Sequence, residues 1–416
     1  MKFTRDDFIQ LFKLQKTISY DDFCLRLSVL NGSDTSGTFA VRSDLDTFVN
    51  RVSKKDNRLQ RLDTYRRKLY QMIVVEPEKA LGEWFDRTAA ITEDLDFYFQ
   101  IPDVKILEGD TFAGRTNAKY GRICKNINFD KFFNTRKLYA NDFEYTFGLM
   151  RAMFEDFKLR NSLVGPAFFD HICKIDDDYG QFWADFMMGC NRASIFNPAT
   201  YKGILDELLP GDTLFAPVMG WNAYQFAFYS SQFTHFVATD VIPEVVNNGK
   251  KLHKEWQDYK DRSIFELPDK TVKLYCCPSE RLAKDTDFIG CYQNQVDAVL
   301  FSPPYYDLEI YDSADQSFTN YPDYQDWLLN YWEATVMIAK RVLKPGGRFA
   351  FVISDYRNKA KEEVRISQDM RNVAETYFGV PTHYRVQWSA IAAGRQAKKT
   401  RDGNFEDLWL FEKGLT

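Results

Sequence analysis

One hexapeptide limits the possible folds more than any other stretch of this chain. Val296-Asp297-Ala298-Val299-Leu300-Phe301 is almost wholly apolar and runs straight into Ser302-Pro303-Pro304-Tyr305. A short apolar run closed by residues that cannot continue a hydrogen-bonded ladder reads as a buried strand. Similar short runs, Thr213–Pro217, His235–Thr239, Val272–Cys276 and Arg348–Ile353, recur with helix-length segments between them. Strands alternating with helices predict an α/β domain whose sheet is parallel and covered by crossover helices. Two further candidates, Tyr384–Ile391 and Asp407–Glu412, are separated by a polar loop and not by a helix. They predict a hairpin-like closing pair, which brings the expected strands to seven.

The first 190 or so residues read differently. Thr4 stands where it could cap a helix carrying Phe8, Leu11 and Phe12 on one face, and Pro77 opens another through Leu81, Trp84 and Phe85. From Phe97 to Tyr145 the pattern loses its period and gains Asn, Gly and aromatic residues, as loops do. No repeat or low-complexity linker marks a boundary, which falls between Asp176 and Phe196. At 416 residues two domains are expected: a mostly helical one over 1–185 and the α/β one over 186–416.

Composition removes several function classes. No apolar run approaches the 18 or so residues of a membrane span, and the N-terminus is no secretory signal. Seven cysteines without a C-x-x-C pair and only four histidines argue against a zinc site, so no metal is expected. Free thiols and the absence of a leader point to the cytoplasm. The net charge of −5 does not advertise a nucleic-acid binder. The acidic excess lies in the C-terminal half, however, and Arg51 to Lys68 is basic apart from Asp56 and Asp63. Either a solvated helix face or a phosphate-contacting one fits that run.

The chemistry concentrates at Ser302-Pro303-Pro304-Tyr305. Following a buried strand, this stiff loop lies at the carboxyl edge of the sheet, where such folds bind ligands. The exocyclic amine of a nucleobase is a poor nucleophile because its lone pair is delocalised into the ring. Two acceptors placed on its hydrogens draw the nitrogen toward tetrahedral geometry and aim the lone pair. Ser302 Oγ and the Pro303 carbonyl are suited to accept those hydrogen bonds, and the prolines keep the carbonyl from turning away. Tyr305 offers a face for an extruded base to stack on.

With these residues the chain resembles the DNA amino-methyltransferases, which make N4-methylcytosine and N6-methyladenine. Their loop is [Asp/Asn/Ser]-Pro-Pro-[Tyr/Phe/Trp], and the Ser form is commoner among the cytosine enzymes. Ser302 to Ile310 is most similar to methylases of bacterial viruses. Leu343-Lys344-Pro345-Gly346-Gly347 matches a turn that many S-adenosyl-L-methionine (SAM) methyltransferases place before the fifth strand. The resemblance covers about residues 196–412 and implies a Rossmann-like, seven-stranded SAM-dependent methyltransferase fold with its antiparallel closing strand. It implies SAM as cofactor, double-stranded DNA as partner, and a restriction-modification or bacteriophage setting. It also implies cofactor contacts at Pro217, Gly220, Trp221, Asp240, Ser279 and Glu280. Against the Asp-Pro-x-Ala-Gly-Trp-Gly of the related viral enzymes it resembles, this chain has Ala216 for the acid and Asn222 for the last glycine.

Alternatives stay open at several positions. Asp240 could accept from ribose hydroxyls or cap the helix beginning at Pro243. Asp307, Glu309, Asp312 and Asp355 could shape the pocket or form a solvated acidic edge. Arg395, Lys398, Lys399 and Arg401 could contact phosphates or decorate a soluble hairpin tip. Cytosine carbon-5 methylation is set aside, because its nucleophilic cysteine follows a proline and no Pro-Cys pair occurs. An RNA or nucleotide amino-methyltransferase, or an inactive scaffold of the same fold, are the remaining alternatives.

Overall fold

The computed structural model describes residues 4–12, 18–23, 67–68, 70–88, 95–102, 107–112, 119–128, 195–308, 311, 313, 315–357, 362–387 and 405–415. Two compact units divide the chain. One combines Lys2–Ile91 with Phe133–Ala193, and the other combines Thr92–Phe132 with Ser194–Thr416.

In the first unit, helix α1 (Arg5–Phe12) starts directly after Thr4, and α2 (Pro77–Thr88) starts at its proline. Both begin where the sequence placed them. Arg5 pairs with Asp86 at 3.4 Å and lies across Gly82, where a Cβ would strike the guanidinium. Tyr70 donates to the Ile18 carbonyl at 2.8 Å and packs edge-on against Tyr20 and Phe23.

The second unit is built on one nine-stranded sheet. Its strands are β1 (Leu107–Glu108), β2 (Thr111–Phe112), β3 (Thr213–Ala216), β4 (His235–Asp240), β5 (Thr271–Cys276), β6 (Val296–Phe301), β7 (Leu343–Ile353), β10 (Thr382–Gln387) and β11 (Phe405–Glu412). A separate two-stranded ribbon pairs β8 (Tyr356–Arg357) with β9 (Glu363–Val364). The sheet order is β1-β2-β10-β11-β7-β6-β3-β4-β5. Strands β3 to β7 are mutually parallel, and β11 runs antiparallel between β7 and β10. All seven expected strands are present, with the closing antiparallel pair. The two additional strands are two-residue pieces on the far edge, where β2 joins β10 in parallel.

Helices α3 (Lys119–Ile127), α4 (Pro198–Leu208), α5 (Ala223–Tyr229), α6 (Pro243–Arg262), α7 (Thr286–Tyr292), α8 (Ala334–Val342) and α9 (Ile366–Phe378) belong to the same unit. Asn197 caps α4 by accepting from Ala199 N at 2.9 Å, and Pro198 supplies the preset first-turn φ. A π-helical turn, Leu328–Glu333, runs into α8. Trp332, Phe349, Phe351 and Phe411 interlock beneath the central strands and are fully buried. The stretch Leu343–Gly347, read from the sequence as a turn, is the bulged start of β7. Gly346 there adopts φ +77 and donates to the Lys413 carbonyl.

Lys270 shows how the lower edge is fastened. It is buried, and its ammonium donates to the carbonyls of Phe228, Ser231 and Phe233 at 3.0, 2.8 and 2.6 Å. Those carbonyls belong to buried residues at and just beyond the end of α5. Lys270→Met should therefore destabilise the chain by about 2–4 kcal/mol, since buried acceptors left unmatched carry the full desolvation cost. Urea unfolding of the two proteins measures it.

Candidate active site

The strand order reverses beside β3: β4 and β5 lie to one side, β6 and β7 to the other. In open α/β sheets ligands bind at the carboxyl ends of strands at such a reversal. The loops after β3, β4, β5 and β6 all leave that edge.

After β3, Gly220, Trp221 and Asn222 hold consecutive φ values of +54, +57 and +64. Left-handed backbone favours Gly and tolerates Asn. Gly220 is required for a second reason: a Cβ would lie 2.5–2.8 Å from three atoms of the Tyr224 ring. Asn222 takes the same backbone form that a glycine would, and its fully buried amide is tied down. Its Oδ1 accepts from Asn128 Nδ2 at 2.9 Å, and its Nδ2 donates to the Val245 carbonyl at 3.2 Å. Asn128 also donates to the Trp221 carbonyl at 3.1 Å and is held by Asn248. The other departure, Ala216, pairs with Ala238 inside the sheet with no exposed surface. A carboxylate there would be desolvated. Pro217 is buried, and its carbonyl accepts the Thr239 hydroxyl.

Asp240 ends β4. Burial pushes its carboxyl up to about 6, against backbone N–H groups of Ile242, Met219 and Val241 that favour the charge. Its Oδ1 accepts from Ile242 N at 3.0 Å, so it braces the turn into α6 without being that helix's cap residue, which is Ile242. The bond from Met219 joins the β3 and β4 loops.

Ser279 and Glu280 follow β5 in a short 3-10 helix, both buried. Ser279 Oγ lies 3.3 Å from Thr335 Oγ1. Burial raises the Glu280 carboxyl to about 7, and its Oε1 has no hydrogen-bond partner among the described residues. The Tyr331 hydroxyl, which Glu280 and Tyr224 both influence electrostatically, has none either. Two orphaned polar groups in one buried corner call for a polar ligand or water to satisfy them.

Three side chains beyond the β6 loop cross back over these loops. Tyr311 packs edge-on to Trp221 at 5.7 Å, Ser313 Oγ donates to the Val241 carbonyl at 3.3 Å, and Asp315 pairs with Arg281 at 2.8 Å. Gln316, buried, fixes this strap by bonding Tyr311 N, Tyr311 O and Ser313 O.

At β6 itself, Ser302 N donates to the Tyr224 hydroxyl at 2.9 Å. Tyr224 in turn stacks on Tyr201 at 4.2 Å, whose hydroxyl donates to Leu300 O. Tyr306 N bonds the Pro304 carbonyl at 3.2 Å. Among the described residues, neither Ser302 Oγ nor the Pro303 carbonyl takes a hydrogen bond, so both acceptors are uncommitted. Tyr305 is only 8% exposed. Its hydroxyl donates to Glu406 Oε1 at 2.8 Å and accepts from Ser354 N at 3.0 Å.

Asp307 accepts from the Tyr356 hydroxyl, and Asp355 accepts from Ser367 N at 2.9 Å. Burial raises the Asp355 carboxyl, and Asp407, Glu363 and Asp369 add to it. These acids are braced, not loosely solvated. Glu309 and Asp312 lie outside the described residues, as do Arg395, Lys398, Lys399, Arg401 and the basic run up to Arg66. The flanks of the C-terminal basic loop are described: Gln387 pairs with Phe405, and Asp407 pairs with Ile353 at the carboxyl end of β7. Both ends therefore emerge at the Ser302 edge. No group of metal-ligating side chains occurs among the described residues, and no helix there is long and apolar enough to cross a membrane.

Asn128, Asn248, Tyr224, Tyr331, Gln316 and Glu406 escaped the sequence reading. Only Asn128 carried a signal, lying in the Asn-rich, aperiodic stretch.

No family profile and no curated protein sequence matches the chain. Solved structures do. TrmN from Thermus thermophilus is similar at 13% identity and TM-score 0.31, over 52% of this chain and 48% of that one. This chain thus spans about half of TrmN. The 1,6-didemethyltoxoflavin-N1-methyltransferase of Burkholderia thailandensis, solved with S-adenosylhomocysteine, is similar at 15% identity and TM-score 0.29, over 51% and 76%. A second Thermus thermophilus protein, provisionally described as a DNA modification methylase, is similar at 18% identity and TM-score 0.23, over 31% and 49%. In its own strand order, its closing antiparallel pair and the loops at its reversal point, this chain has a Rossmann-like, doubly wound α/β fold, widened to nine strands.

Proposed function

We propose that the chain is a SAM-dependent methyltransferase acting on an exocyclic amino group of a nucleobase in DNA, N4 of cytosine ahead of N6 of adenine. The observation that carries this reading is the pair of uncommitted acceptors, Ser302 Oγ and the Pro303 carbonyl, on a rigid loop at the sheet's reversal point.

The residues present fit the cofactor. Gly220 holds the left-handed turn of the β3 loop, Asp240 offers carboxylate oxygens to ribose hydroxyls, and the orphaned Glu280 Oε1 supplies a buried group for the adenine. Pro217, Trp221 and Ser279 complete the lining. When bound, SAM supplies a methyl group made electrophilic by its sulfonium. The chain does the rest. Ser302 and Pro303 hold the amine's two hydrogens and turn its lone pair outward. The prolines fix that direction, and Tyr305 borders the base. Phosphates fall to Arg395, Lys398, Lys399 and Arg401, with the helical N-terminal region (about 1–185) as an accessory surface.

Radiolabelled SAM, unmethylated duplex DNA and nucleoside analysis of the product provide the test. Label in N4-methylcytosine or N6-methyladenine supports the reading and names the base. Label only in RNA moves the substrate. No label, with no SAM binding by calorimetry, removes the enzyme and leaves a scaffold.

A pH dependence follows. Asp240 is raised from 3.8 to about 6, so the native state keeps a proton that the unfolded chain releases between those values. Its contribution to folding is present below about 4 and is lost as pH rises through 6. Cofactor binding runs the other way, because ribose hydroxyls need the ionised acceptor. SAM should bind about tenfold more weakly at pH 5 than at pH 7.5, and Asp240→Ala should weaken it at both. Calorimetry in a Glu280→Gln background isolates the Asp240 step. A flat profile there contradicts the assignment.

A further inference from the structure

We propose that Glu406, on the closing antiparallel strand, is a positioning residue that sets the catalytic-loop tyrosine; this rests on the amino-methyltransferase reading above. The Tyr305 phenol joins three elements. It donates its single proton to Glu406 Oε1 at 2.8 Å and accepts from Ser354 N at 3.0 Å, with Ser354 Oγ at 3.2 Å. Ser354 directly follows β7, and Glu406 is the second residue of β11, paired with Val386 of β10.

A phenol hydroxyl has one hydrogen, and its direction decides which lone pairs remain for the backbone N–H. Sending that hydrogen to Glu406 leaves the oxygen free to receive Ser354 N. The ring is then fixed at its far end, while the preceding prolines fix its root. Tyr356 closes one side, its ring edge-on at 6.1 Å. Burial, together with the neighbouring Glu406 charge, holds the Tyr305 hydroxyl well above its ordinary value, so it remains a donor across the working pH range. Glu406 needs only to accept. Nothing in the arrangement asks it to take a proton from the substrate.

Acceptor chemistry makes a specific prediction about substitutions. Glu406→Gln keeps a carbonyl oxygen at the end of the same side chain and should retain most of the turnover. Glu406→Ala releases the ring and should lower kcat by about 10- to 100-fold, the scale of a small misplacement at a reacting centre. SAM affinity should stay within about twofold in both. Tyr305→Phe also gives up the bond from Ser354 N and should lose at least as much as Glu406→Ala. The double variant Tyr305→Phe with Glu406→Ala should lose no more than Tyr305→Phe alone, because the bond between the two residues is already gone.

Methyl transfer to DNA by the four variants and the wild type, with SAM calorimetry alongside, tests the proposal. Rescue by Gln with a non-additive double variant supports it. Wild-type turnover in Glu406→Ala, equal damage by Gln and Ala, or losses that multiply in the double variant overturn it while leaving the methyltransferase reading intact. Failure of the wild type itself to transfer methyl groups overturns both.

Discussion

Gly220→Ala is expected to weaken SAM binding by at least about 100-fold and to lower the melting temperature. The substitution meets two independent penalties. A left-handed backbone at φ +54 costs an L-residue about 1–2 kcal/mol. The new methyl would also overlap the Tyr224 ring, at 2.5–2.8 Å from three of its carbons. Tyr224 has no room to yield. It is stacked on Tyr201 at 4.2 Å, and its hydroxyl holds Ser302 N at 2.9 Å. Overpacking of this kind adds about 1–3 kcal/mol. Strain at the cofactor loop is therefore passed directly to the catalytic loop, and turnover should fall further than cofactor affinity. Asn222→Gly is the informative contrast. It keeps the left-handed backbone and removes side-chain bonds to Asn128, Val245 and Gln225, so it should cost about 1–2 kcal/mol of stability and leave SAM binding largely intact. Thermal unfolding, calorimetry and transfer assays separate the cases. Native SAM affinity in Gly220→Ala would show that this loop does not border the cofactor.

That contrast also explains what the sequence could and could not reveal. Asn222 departs from the glycine that the family resemblance requires, yet the required property is a positive φ, and asparagine supplies it. A motif records residue types, whereas the fold needs backbone geometry. The seven strands were legible because each is a short apolar run with a clear end, and β6 with its two prolines was the clearest. Strands β1 and β2 were not, since two residues carry no period and the β10 partner of β2 lies more than 260 residues downstream. The long-range clamps were hidden for the same reason. Asn128 reaches Asn222, Tyr224 reaches Ser302, and Tyr305 reaches Glu406, each across a separation over which local pattern says nothing. The Tyr305 ring is a case in between. Its place in the loop was readable, but its deep burial and anchored hydroxyl depend on the end of β7 and the start of β11, which meet beside it only after the sheet has formed.

Ser302→Ala should lower kcat by about 100- to 1,000-fold while SAM affinity and folding stability remain near wild type. Ser302 Oγ makes no hydrogen bond to the described residues, so removing it leaves none of their polar groups unmatched. The backbone bond from Ser302 N to Tyr224 survives the change, which keeps the loop in place. What disappears is one of two acceptors for the amine, and loss of one oriented partner for a developing charge has an effect of that size. Ser302→Asn and Ser302→Asp restore a side-chain acceptor of the type other members of the resembled family carry there, and either should recover much of the lost rate. A hydroxyl that merely closed the strand would behave differently: Ala would then be silent in kcat, and the larger Asn would cost stability without gaining turnover. Single-turnover transfer from labelled SAM, read beside thermal unfolding of the same variants, distinguishes an acceptor from a strand terminus at the residue on which the proposed chemistry depends.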